Sequence, residues 1–133
     1  MALTGCLCLC GLVAACQAGQ DTGSAAAEGT ALAEDRNAPG VHKIGEGRYE
    51  AVVYATEGGF NPRELRVPVG AEVTFRVRSR DLFHGFVIEG TGVELTSMVE
   101  GFVEATHTFT EGGEYPFACH LYCGGGHDYM SGR

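Results

Sequence analysis

The run Cys119-His120-Leu121-Tyr122-Cys123-Gly124-Gly125-Gly126-His127-Asp128-Tyr129-Met130 constrains this chain more than any other stretch. It brings two thiols, an imidazole and a thioether close together near the C-terminus. Soft thiolate and thioether ligands combined with imidazole suit copper, whereas zinc sites are built from Cys, His and carboxylate. The methionine therefore decides the metal. A mononuclear blue-copper site uses one Cys, two His and a weak axial Met. Here a second Cys follows four residues after the first, so a loop folding back on itself aims both sulfurs at one point. Two thiolates bridging two coppers fit that geometry better than one copper holding four strong ligands. A further ligand has to come from upstream, and the candidate is His84 in Asp81-Leu82-Phe83-His84-Gly85-Phe86, flanked by apolar residues and a Gly.

The competing reading of the two cysteines is a structural disulfide. A loop so short gives little chain-entropy stabilisation, and a disulfide leaves the placement of His127 and Met130 unexplained. The other histidines are expected to play plainer parts. His120 adjoins Cys119, and neighbouring side chains on an extended segment point opposite ways, so His120 should face away from the metal. His107 alternates with Val103, Ala105 and Phe109 as a packing residue on a strand face. His42 is expected in solvent. Arg76, Arg78 and Arg80 read as a solvated strand face rather than a docking stripe.

From residue 48 onward the pattern is β. Tyr49 to Ala55, Leu65 to Val69, Glu72 to Arg78, Gly85 to Ile88, Phe102 to Thr110 and Tyr115 to Cys119 are short runs rich in β-branched and aromatic residues, broken by Gly, Pro and Asn. In Glu72 to Arg78 the apolar Val73, Phe75 and Val77 alternate with Thr74, Arg76 and Arg78, as in a half-buried strand. No segment has an amphipathic helix period. Six short strands at this spacing predict an all-β Greek-key sandwich, with the copper loop closing one pole.

The Cys-x3-Cys-x3-His-x2-Met run with the upstream Asp-x-x-His-Gly-Phe resembles the binuclear CuA domain of cytochrome c oxidase subunit II. The likeness is greatest to the short subunit II of B-type haem-copper oxidases. It runs from about Tyr49 to Met130 and includes Gly59-Phe60-Asn61-Pro62, Leu65 to Val73 and Gly113-Glu114-Tyr115. The resemblance implies a cupredoxin-like sandwich in which Cys119 and Cys123 bridge both coppers. His84 and Met130 would complete one metal, and His127 with the backbone carbonyl of Leu121 the other. Many members carry a magnesium-holding Glu between the two cysteines. Leu121 keeps the carbonyl but has no such side chain. Members also run on past the Met into a further strand, so a sandwich ending at Arg133 is expected to lack its last strand, with Met130 near a fraying end.

The chain divides into residues 1–16, 17–40 and 41–133. From Ala2 to Ala18 there is no charge, and Val13-Ala14-Ala15-Cys16 resembles a bacterial lipoprotein signal in which Cys16 is acylated. An uncleaved membrane anchor is the alternative for residues 1–16. Cys6, Cys8 and Cys10 fall in that segment, leaving Cys119 and Cys123 to the folded domain. Residues 17–40 are rich in Ala, Gly and Glu without apolar periodicity and read as a disordered tether. Residues 41–133 are long enough for one core. Together these features predict a domain on the extracytoplasmic, periplasmic side of a bacterial cell membrane.

A formal charge of −8 makes nucleic acid an unlikely partner class. No ligand position is left open for a substrate, so the isolated chain is expected to carry electrons and do no bond chemistry. The family resemblance implies a cytochrome c as donor and the haem-copper subunit I of a terminal oxidase as acceptor. The alternatives are a stand-alone extracytoplasmic copper electron carrier and a copper-delivery lipoprotein. Delivery sites are often open and Met-rich, and only Met98 and Met130 are available here apart from the initiator.

Overall fold

The computed structural model describes residues 35–133; the expected signal or anchor and most of the expected tether lie outside the described residues. Among the described residues, nine strands form two sheets. The first sheet contains β1 (Gly40–Gly45), β2 (Arg48–Thr56), β3 (Gly59–Asn61), β4 (Glu72–Ser79) and β7 (Val103–Thr108), in the order β1-β2-β4-β7 with β3 on β2. The second contains β5 (His84–Ile88), β6 (Val93–Ser97), β8 (Phe117–Ala118) and β9 (Ser131–Gly132), in the order β6-β5-β8-β9. β2 and β4 run parallel, and every other pair is antiparallel. The architecture is the all-β, cupredoxin-like sandwich expected from the sequence.

The alternation in β4 is realised: Val73, Phe75, Val77 and Ser79 are buried while Thr74, Arg76 and Arg78 are half-exposed. Two sheets facing each other bury alternate residues of each, and the slab between them is filled here by aromatic rings. Phe86 packs on Phe60 and Phe117 at centroid distances of 5.4 and 5.1 Å, and Phe75 joins Phe86 at 6.0 Å. Cys119, Cys123 and Met130 belong to this same buried cluster. The metal loop thus rests directly on the core.

Five differences from the sequence reading have physical causes. Leu65 to Val69 is extended but forms no ladder. Pro68 has no N–H to give, and among the described residues the amide of Leu65 is bonded to the Arg133 carbonyl. β6 lies outside the expected strands, although Val93-Glu94-Leu95-Thr96-Ser97 alternates and Gly90 and Gly92 turn the chain with φ of 76° and 75°. β1 starts at Gly40, and the residues before it are tied to the sheet: Tyr54 Oη donates to the Asn37 carbonyl and Arg36 pairs with Glu50. His42 is consequently half-buried, with Nε2 2.8 Å from the Ala38 carbonyl, and not in open solvent.

The last difference concerns the missing strand. β9 pairs with β8 immediately after Met130, and Arg133 donates its amide to the Arg63 carbonyl. Met130 is only 1% exposed and its carbonyl accepts from the Cys119 amide at 3.0 Å. The expected fraying at Met130 does not occur because the backbone on both sides of it is hydrogen-bonded.

The arginines along and just beyond β4 each have partners within the domain, with Arg76 and Arg78 half-buried and Arg80 exposed. Arg76 pairs with Glu50 and Glu104 and lies 4.5 Å from the Phe102 ring centroid. Arg78 donates to the Val99 carbonyl, and Arg80 stacks 3.8 Å over Tyr54. The guanidinium groups of Arg76 and Arg80 use aromatic faces as cover. His107 packs edge-on against Phe109 at 4.7 Å, as its alternation predicts.

Candidate metal centre

Two chain segments build the centre. β5 delivers His84 at its first residue, and β8 runs straight into Cys119, from which the loop 119–130 doubles back over the core. The sulfurs of Cys119 and Cys123 lie 3.5 Å apart. Cys123 Sγ is 3.3 Å from Met130 Sδ and 3.9 Å from His127 Nδ1. The Leu121 carbonyl oxygen is 3.0 Å from Cys119 Sγ. One ring nitrogen of His84 and both cysteine sulfurs all lie within 4.8 Å of one another. His84, Cys119 and Cys123 form one mutual cluster that Met130 and the Leu121 carbonyl adjoin, while the half-buried His127 reaches it at the edge through Cys123.

His84 is fully buried, and its two ring nitrogens have different surroundings. Nε2 is 2.7 Å from Asp81 Oδ1, while Nδ1 is buried and has no hydrogen-bond partner among the described residues. Buried polar atoms are normally satisfied, so an orphaned imidazole nitrogen beside two thiols fits a metal ligand. A carboxylate behind a metal-bound His fixes its tautomer and ring orientation. Burial alone would raise the Asp81 carboxyl. The hydrogen bonds from His84 and from the Glu57 and Leu82 amides outweigh it and hold that group down to about 2. Burial also pushes the Cys123 thiol up to about 11, with Cys119 adding to the effect. A cation is what would favour thiolate in such a pocket.

Asp81 is the residue in contact with the candidate centre that sequence reasoning did not assign. Its signal was its position three residues before His84 in a tight turn, where a carboxylate can reach the ring. His120, by contrast, points out of the cluster toward Glu94, with Nε2 3.4 Å from Oε1. Its Nδ1 is buried without a hydrogen-bond partner among the described residues, as that of His84 is, but His120 does not belong to the His84, Cys119 and Cys123 cluster. Around the centre Leu82, Phe83, Tyr122 and Tyr129 are exposed, by 47% to 77%, and form an apolar rim. No described helix is long and apolar enough to cross a membrane.

No protein-family model matches the chain. Among characterised proteins, cytochrome c oxidase subunit 2 of Thermus thermophilus is 37% identical over 95 residues, covering 71% of this chain and 70% of that relative. A second, longer subunit 2 from the same species is likewise 37% identical over 95 residues, which span 56% of its length. Among solved structures, a chain of a heme-copper terminal oxidase dimer superposes with a TM-score of 0.66 at 31% identity, covering 71% of this chain and 67% of that one.

Proposed function

This chain belongs to the cytochrome c oxidase subunit 2 family, and we propose that it holds a two-copper CuA centre that accepts electrons from a cytochrome c and passes them to the haem-copper subunit of a terminal oxidase. The convergence of both cysteine sulfurs, the Met130 thioether and a ring nitrogen of the fully buried His84 supports this reading. Cys119 and Cys123 would supply thiolates to both coppers, and His84, Met130, His127 and the Leu121 carbonyl would supply the remaining ligands. When bound, such a pair supplies a single electron-accepting unit whose charge is shared over both metals.

The chain's own residues supply rigidity and access. Asp81 orients His84, and the packed rings of Phe60, Phe86 and Phe117 support the cysteines and Met130 from below. Donors held in one arrangement need little rearrangement when charge changes, which lowers the barrier to electron transfer. The nearly complete burial of Cys119, Cys123 and Met130 keeps water from the sulfurs. The exposed Leu82, Phe83, Tyr122 and Tyr129 offer an apolar docking rim for a redox partner. Residues 1–16, as a lipidated signal or an anchor, would hold the domain at the extracytoplasmic face of a bacterial membrane. The segment 17–40 would give it reach toward the oxidase subunit.

Copper stoichiometry tests the assignment. The reduced full-length chain loaded with copper should retain two ions per chain. Cys119→Ser and His127→Ala should each abolish that stoichiometry while leaving the β-sheet circular dichroism intact. Retention of a single ion by the unaltered chain, or full loading of Cys119→Ser, would refute the two-copper assignment.

A further inference from the structure

We propose that the turn at Glu57 and Gly58, between β2 and β3, is a clasp that sets the spacing of the two ligand-bearing segments, with Gly126 as its seat. It rests on the assignment of His84, Cys119, Cys123, His127 and Met130 as copper ligands. Glu57 reaches both halves of the centre. Its amide donates to Asp81 Oδ2 at 2.8 Å, and the other oxygen of that carboxylate holds His84 Nε2 at 2.7 Å. Its backbone carbonyl lies directly against Gly126, where any Cβ would collide with it. Its carboxylate covers Gly124, with Oε1 2.5 Å from where a Cβ would stand.

On the His84 side the two ligand segments already meet: the Gly85 amide donates to Cys119 Sγ at 3.3 Å, and Gly85 lies against His120. β5 and β8 pair at Val87 with Ala118 and at Ile88 with Phe117, which lies below the cysteines. The far side of the loop, carrying His127, meets the Asp81 side of the centre through Glu57. The turn is itself braced: the Gly58 amide donates to Thr56 Oγ1 at 3.2 Å, and Arg63 Nη2 donates to the Gly58 carbonyl at 2.7 Å. This arrangement gives the three consecutive glycines distinct roles. Gly126 admits the Glu57 carbonyl, and Gly124 has φ of +126° under the Glu57 carboxylate. A Cβ on Gly125 would have no neighbour within 4 Å. Close approach of two backbones is the reason a glycine is required at such a seat.

Because one carboxylate carries both links, displacing the turn and altering Asp81 should act on the same interaction. Their effects should therefore fail to add. The test uses the copper-loaded full-length chain and compares Gly126→Ala, Gly125→Ala, Asp81→Asn and the Gly126→Ala/Asp81→Asn double variant by chelator competition. Loss of a hydrogen-bonding partner behind a metal ligand typically weakens metal binding by about 10- to 100-fold. Gly126→Ala and Asp81→Asn should each fall in that range. Gly125→Ala, the same chemical change one residue away, should match the unaltered chain. The double variant should be no weaker than the worse single one, within about twofold.

Hydrogen exchange of the Glu57 amide in the copper-free chain provides a readout that does not depend on copper. It should be protected in the unaltered chain and exposed in Asp81→Ala, which removes the acceptor oxygens and introduces no steric overlap, and in Gly126→Ala. Unchanged copper binding in Gly126→Ala, an equal loss in Gly125→Ala, additive losses in the double variant, or an unprotected Glu57 amide in the unaltered chain would each overturn the clasp. An unaltered chain that binds no copper while its Glu57 amide is protected as described would instead refute the copper assignment, and with it the clasp's role in spacing ligands, while leaving the Glu57–Asp81 contact itself upheld.

Discussion

At the residue scale, Met130 belongs to the core and is proposed to serve the centre as well. It is 1% exposed in the same cluster as Phe86 and Phe117, and its sulfur lies 3.3 Å from Cys123 Sγ. The two roles separate by substitution. Met130→Leu keeps the volume and should cost less than about 1.5 kcal/mol of stability, measured by urea unfolding of the copper-free chain. Its loaded form should nevertheless show an altered spectrum, since the thioether is gone. Met130→Ala leaves a cavity and should cost about 2–5 kcal/mol. The five nominated side chains were legible because their chemistry is rare and closely spaced, and because an imidazole between Phe83 and Gly85 has few ordinary uses. Asp81 escaped because an acidic residue in a polar turn has many, and only the ring of His84 at 2.7 Å distinguishes it.

At the element scale, β9 shows how two residues can fix a site. Ser131 and Gly132 pair with Ala118 and Phe117, and the flanking Arg133 bonds Arg63, so the loop is anchored on both sides. Gly132 has no room to spare, since a Cβ there would overlap the Phe117 ring and the Arg63 carbonyl. Gly132→Ala should therefore destabilise the copper-free chain by about 1–3 kcal/mol through overpacking, and its melting temperature would show this. The long strands β2 and β4 were readable from alternation and β-branched content. β8 and β9 are two residues each, too short to carry a period, and depend on the backbone partners that the fold supplies. Leu65 to Val69 shows the converse: Leu65 and Val67 are half-buried, but Val69 is 64% exposed, and Pro68 and the lack of a full neighbouring strand keep the segment out of the ladder.

At the scale of the whole molecule, the centre sits at one end of an aromatic core, beneath an apolar rim. Tyr122 and Tyr129 are 77% and 74% exposed, so they contribute little to stability and are available to a partner. Tyr122→Ala should leave the copper spectrum unchanged while slowing second-order reduction by a cytochrome c, by up to about tenfold if the ring is an interface anchor. Stopped-flow mixing measures that rate, and an unaltered rate would remove Tyr122 from the docking surface. Five side chains and one carbonyl are proposed to hold two coppers as one unit, and electron paramagnetic resonance of the copper-loaded full-length chain tests this most directly. An unpaired electron shared equally by two copper nuclei should give many closely spaced hyperfine lines of small splitting; a four-line pattern from a single copper would contradict the account.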